Sequence, residues 1–250
     1  MTSATTSPAG AAPGTLPTVV LVHGAFADSS SWNGVVTRLR TAGFPVVAAA
    51  NPLRSLHDDA AYLRAVLDDL DGPVVLAGHS YGGSVMSEAA HGHPQVKALV
   101  FVASFLLAEG ESTADLAGKY PGNELGPALH AVPVPGPDGT TVEDLVIQPD
   151  RFHAVFAADV PADVAALMAV TQRPILGGAL AGAATRAAWR TTPSWTLVTL
   201  QDLAVPAAAQ RFMAERASSH VVEVDASHAV TVSRPDVVAS LIEEATHATA

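Results

Sequence analysis

The 250-residue chain has no cysteine, which excludes a disulfide framework, a thiolate nucleophile and any metal site built on sulfur. Basic residues are scarce: 13 Lys and Arg stand against 24 Asp and Glu, for a formal net charge of −11. A protein that grips the phosphates of nucleic acid needs the opposite balance, so nucleic acid is not an expected partner. The same acidity disfavours an anionic membrane surface. Long apolar runs are missing as well, the longest, Ala98 to Ala108, being about half of what spans a bilayer. The first 17 residues, MTSATTSPAGAAPGTLP, lack a basic stretch and an apolar stretch and read as a flexible tail, not a signal peptide. A soluble, cytoplasmic protein is therefore expected.

What is present is a hydrophobic content of 49%, enough for a sizeable core. Val- and Leu-rich runs alternate with helical patterns, as in a parallel sheet buried on both faces. Thr18 to Val22, Pro45 to Ala50, Val74 to Ala77 and Val96 to Val102 are expected strands. Ser31 to Ala42, Ser55 to Leu70 and Tyr81 to His91 are the helices between them. In the second helix, Leu56, Ala60, Leu63, Leu67 and Leu70 form the apolar stripe, and Asp58, Asp59, Asp68 and Asp69 read as its solvated face. From Leu106 to Pro193 the alternation stops for too long to be a plain loop. That segment is expected to hold a hairpin turning at Asp138-Gly139 and a helix over Pro161 to Thr171 with Val164, Leu167 and Met168 on one side. Strands at Trp195 to Leu200 and His220 to Asp225, and helices from Pro206 to Arg216 and Pro235 to His247, close the pattern. The expected fold class is α/β, a mostly parallel sheet with helices on both faces, in which 18–105 and 194–250 form the core and 106–193 an inserted cap.

Within this frame Gly78-His79-Ser80-Tyr81-Gly82 fits G-x-S-x-G, with a strand before it and a helix after it. Such a turn holds the serine in a strained conformation with its hydroxyl clear of the sheet, and the flanking glycines remove Cβ atoms that would clash. A hydroxyl is a poor nucleophile alone and requires a base oriented by a carboxylate. Of ten histidines, His228 follows the last strand in DASHAV, at the carboxyl edge of the sheet where reactive groups gather. The pair His91 and His93 lacks the further ligands a metal site needs, and no metal or cofactor is expected. Asp202 follows the strand WTLVTL and gives the order Ser, Asp, His. Its rival is Asp225, directly ahead of the His228 loop. After the first strand, His23-Gly24-Ala25-Phe26 turns tightly, so the amides of Ala25 and Tyr81 are candidate oxyanion donors.

With HGAFADSSSW, GHSYGG, DLAVP and DASHAV in this order, the chain resembles the α/β-hydrolase superfamily along essentially all of its ordered length. More narrowly, the HGA opening with Trp32 downstream looks like the branch of plant methylesterases, hydroxynitrile lyases and bacterial carboxylesterases. The resemblance implies Ser80, Asp202 and His228 as nucleophile, acid and base. Hydroxynitrile lyases of that branch carry a lysine after the histidine, where this chain has Ala229, and related epoxide hydrolases carry an aspartate in place of Ser80. Hydrolysis of a small to medium apolar carboxylic ester is therefore the expectation. Phe26, Phe152, Phe156, Leu167 and Met168 are candidate pocket walls. The alternatives are a cofactor-free perhydrolase or lyase, or a small-molecule receptor with weak turnover. A monomer or homodimer is expected.

Overall fold

The computed structural model describes residues 16–249, so the expected tail lies outside the described residues up to residue 15. Six strands, β1 (Thr18–Val22), β2 (Val46–Ala49), β3 (Val74–His79), β4 (Val96–Val102), β8 (Ser194–Thr199) and β9 (His220–Val224), form one sheet in the order β2-β1-β3-β4-β8-β9. Every pairing in it is parallel. Strands β3 and β8 are buried along their whole length, which is why the sequence shows unbroken apolar runs there instead of alternation.

The helices α1 (Asn33–Thr41), α2 (Leu56–Asp68) and α3 (Tyr81–Ala90) connect the first four strands. Trp32, Val35 and Leu39 pack with Val75, Val100, Leu241 and Ile242 on one face of the sheet. Leu63, Leu67, Leu76, Val85 and Phe101 pack on the other. One expectation for α2 is corrected: Asp59 does not join the solvated face but is fully buried. It lies three residues after Leu56 and four before Leu63, so helical spacing places it inside the apolar stripe. Its carboxylate survives there by accepting from the Tyr81 hydroxyl at 2.8 Å and the Arg54 amide at 3.0 Å.

Between β4 and β8 lie α4 (Thr113–Ala117), α5 (Leu125–Ala128), α6 (Pro149–Phe156), α7 (Ala162–Thr171) and α8 (Gly177–Ala181). With them is an antiparallel sheet of β5 (Leu129–Pro135), β6 (Thr141–Ile147) and β7 (Ile175–Leu176). The expected hairpin is β5-β6, turning through Pro137–Gly139, and β7 adds a short third strand that no sequence run announces. In α7 the buried positions are Ala165 and Ala169. Leu167, expected to face inward, is 65% exposed and Val170 73% exposed. The small alanines allow α7 to lie close to its neighbours, which turns the larger residues outward. Helices α9 (Ala207–Arg216), α10 (Val230–Ser233) and α11 (Pro235–Ala248) complete the chain.

The order β2-β1-β3 has a functional consequence. From β1 the chain steps outward to β2 and then crosses back over β1 to β3, so the loops leaving β1 and β3 part to opposite sides. The crevice they leave at the carboxyl edge is where open α/β sheets bind ligands. His23-Gly24-Ala25 leaves β1 there, and Ser80 leaves β3 beside it.

Candidate active site

Ser80 stands between the end of β3 and the start of α3 with φ +52° and ψ −127°, outside the region that ordinary L-residues occupy. Such a conformation costs roughly 1–3 kcal/mol and persists only where its surroundings impose it. They do so here. The Ser80 amide donates to the Val102 carbonyl at 3.2 Å, and the Ser80 carbonyl accepts from the Gly83 amide at 3.0 Å and the Ser104 hydroxyl at 2.6 Å. A Cβ on Gly82 would overlap the Val22 carbonyl, and one on Gly24 would stand 2.7 Å from the Ser80 Cβ. Both positions are thus confined to glycine by close backbone approach.

The Asp202 carboxylate, buried after β8, collects five donors. Oδ1 accepts from the amides of Ala204 and Val205, each at 2.8 Å. Oδ2 accepts from the Thr199 hydroxyl at 2.8 Å, Gln210 Nε2 at 3.1 Å and His228 Nδ1 at 2.8 Å. Because an ionised carboxylate only accepts, this contact assigns the proton to Nδ1 and leaves Nε2 as the basic nitrogen. Nε2 is buried and has no hydrogen-bond partner, Ser80 Oγ included. Catalytic contacts of this kind often close only once substrate is bound. The rival Asp225 is exposed and makes no hydrogen bond to the imidazole.

The rest of the His228 loop is also fixed. The His228 carbonyl accepts from His79 Nε2 at 2.9 Å, and the Ala229 amide donates to the Phe156 carbonyl at 2.9 Å. The Ser227 hydroxyl donates to Asp159, just beyond α6. The rings of His79 and Phe156 lie 4.7 and 4.8 Å from that of His228, centre to centre. His79 precedes Ser80 directly and therefore ties the serine turn to the histidine loop. Burial, with the neighbouring His228, pushes His79 down to about 3, so it serves as a neutral strut. His23 is lowered by burial too, and holds the β1 loop by accepting from the Asn51 amide at 3.0 Å.

The amides of Ala25 and Tyr81 have no acceptor among the described residues, and both residues line the cavity that holds Ser80. Free amides lining the same cavity as a hydroxyl can stabilise an oxyanion where they face it, at roughly 2–4 kcal/mol for each donor. Below them burial raises the Asp59 carboxyl above its usual range, and burial together with the Asp59 charge raises the Tyr81 phenol.

The cavity itself measures about 60 Å³ and is walled by Phe26, Phe105, Phe156, Leu180 and Val205, with Thr113 as a polar exception. Of the residues expected as walls, Phe26 and Phe156 reach it, and Met168 lines a separate groove of about 170 Å³. Phe152 is buried behind Phe156 at a ring separation of 5.1 Å and does not reach the cavity, and Leu167 points outward. Phe105, just beyond β4, and Thr113, Ala114 and Leu125 of α4 and α5 were not legible as walls, since only the packing of these segments around Ser80 assigns them. The Thr199 and Gln210 supports of Asp202 carried no motif either. Among the described residues no cluster of three His, Asp or Glu is arranged to hold a metal ion, and no helix is long and apolar enough to cross a membrane.

Residues 19–241 match the model of the Alpha/beta hydrolase family. The Alpha/beta hydrolase nvfD of Aspergillus novofumigatus is 27% identical over 92% of this chain and 96% of its own length. A pyrethroid hydrolase of Sphingobium wenxiniae is 28% identical over 92% of this chain and 88% of its own. Among solved structures, that of polyneuridine aldehyde esterase superposes with a TM-score of 0.80 at 20% identity, covering 92% of this chain and 99% of the other.

Proposed function

The chain belongs to the alpha/beta hydrolase family, and from that premise we propose that it hydrolyses small to medium apolar carboxylic esters through an acyl-enzyme on Ser80. The observation that carries this reading is the buried, unpartnered His228 Nε2, whose opposite nitrogen is held by Asp202 at 2.8 Å. A basic nitrogen desolvated in this way, on a loop that His79 ties to the strained turn carrying Ser80, is suited to removing the hydroxyl proton. The relatives named for pyrethroid hydrolysis and for esterase activity support the same class of bond.

Ser80 Oγ attacks the ester carbonyl as His228 Nε2 accepts its proton, and the amides of Ala25 and Tyr81 hold the oxyanion. Collapse of the tetrahedral adduct expels the alcohol, which takes the proton from the imidazolium. Water then attacks the acyl-serine with the same imidazole as base, releasing the acid and restoring Ser80. Asp202 keeps the imidazole in the right tautomer and balances its transient charge. The apolar walls around Ser80 exclude charged acyl groups by desolvation.

The test is the initial hydrolysis rate of p-nitrophenyl esters of increasing acyl length, with folded Ser80→Ala protein as control. Turnover that disappears in the variant supports the reading. A folded wild type no faster than the variant on every ester would remove it, and dependence on hydrogen peroxide or release of an aldehyde would replace it with a perhydrolase or lyase.

A further inference from the structure

Two concavities meet at one residue. The cavity of about 60 Å³ at Ser80 and the groove of about 170 Å³ beneath α7 share Phe26 and nothing else in their linings. Phe26 is 3% exposed and has φ +58°. A bulky residue in the left-handed region is uncommon, since glycine occupies it at far lower cost. Its ring meets Phe156 edge-on at 6.4 Å, and Phe156 in turn packs on His228. A buried aromatic residue on a strained backbone thus stands between the reacting serine and an open groove.

We propose that Phe26 is a gate, and that the groove behind it receives the long apolar half of an ester whose short half occupies the Ser80 cavity. This inference rests on the ester-hydrolase reading. The cavity alone is far below the roughly 300–1,000 Å³ of sites that enclose larger ligands. The groove offers Phe26, Ala27, Val164, Met168 and Val232 as an apolar bed, beside the polar Ser31, Thr171 and Gln172. Its polar edge carries Asp28, whose carboxyl is held below its usual range by hydrogen bonding to Ser30. An ionised Asp28 repels carboxylates, so the occupant is not an anion.

The test compares kcat/KM for ethyl acetate, hexyl acetate and ethyl hexanoate in wild type, Phe26→Ala and Val164→Trp. The two long esters extend opposite halves of the molecule, and either can be the one the groove accepts. Removing the ring is expected to raise the long-to-short ratio for at least one long ester by about tenfold, while tryptophan at the rim of the groove lowers it severalfold. Ratios within about twofold of wild type in both variants overturn the gate. Binding is read separately by titrating hexyl acetate and ethyl hexanoate, each in turn, into Ser80→Ala and Ser80→Ala/Phe26→Ala. Tighter binding of at least one of the two esters by the double variant is expected, and equal affinity for both overturns the proposal. Should wild type hydrolyse none of these esters, the hydrolase reading falls, and the two affinities still decide the gate.

Discussion

Asp202 Oδ2 lies 2.8 Å from His228 Nδ1, and neither side chain is open to solvent. An asparagine in place of Asp202 keeps the shape but presents an amide to the imidazole, which favours the wrong tautomer. Asp202→Asn is expected to lower kcat by about 10³–10⁴. Asp225→Asn, at an exposed position without a hydrogen bond to the ring, is expected to stay within about threefold of wild type. Steady-state kinetics on one p-nitrophenyl ester check both, and the reverse pattern would move the carboxylate role to Asp225.

Asp159 acts on His228 through Ser227. The Ser227 hydroxyl reaches both the Asp159 carboxylate and the Phe156 carbonyl, which fastens the histidine loop to the end of α6. Asp159→Ala is expected to lower kcat about tenfold while KM changes little, because misplacing a catalytic group costs rate before binding. Asp159→Asn retains an acceptor for Ser227 and is expected to recover most of the loss. A general loss of stability would instead appear as a lower thermal midpoint with unchanged kcat per folded molecule.

His79 makes the fold sensitive to acid. Its folded value of about 3 lies below the ordinary 6.5, so between those two pH values the unfolded chain binds a proton that the native one does not. This contribution to stability is complete above pH 6.5 and is lost as pH falls toward 3. Urea midpoints measured from pH 7 to pH 4 should fall more steeply for wild type than for His79→Gln. Equal slopes would mean that His79 accepts its proton in the native state.

The pair Tyr81 and Asp59 offers a stability test distinct from catalysis. Tyr81→Phe leaves the backbone amide in place but deprives a buried carboxylate of its 2.8 Å donor. The expected cost is about 1–3 kcal/mol, read from urea unfolding at pH 7. A smaller effect would show that the Arg54 amide alone satisfies Asp59.

These particulars separate what the sequence discloses from what it hides. The placement of Ser80, Asp202 and His228 was legible because each follows the carboxyl end of a strand run, and parallel sheets gather such positions at one edge. Asp59 was misread because an acidic pair suggests solvent, although helical spacing divides Asp58 from Asp59. Leu167 was misplaced because Val164, Leu167 and Met168 share helical spacing and were read as an inward side of α7, whereas Ala165 and Ala169 are the buried positions. The cavity walls from α4 and α5, and the Asp159–Ser227 contact across 68 positions, depend on how distant segments pack and leave no local periodicity.

The most direct measurement is the intact mass of the protein quenched within milliseconds of mixing with p-nitrophenyl acetate, followed by peptide mapping. A single acetyl group on the peptide containing Ser80, absent in Ser80→Ala and accumulating with a burst of p-nitrophenol, is the predicted result. Steady turnover of the ester with Ser80 never acylated, or an equal adduct on another residue in the variant, would contradict a covalent mechanism at this serine.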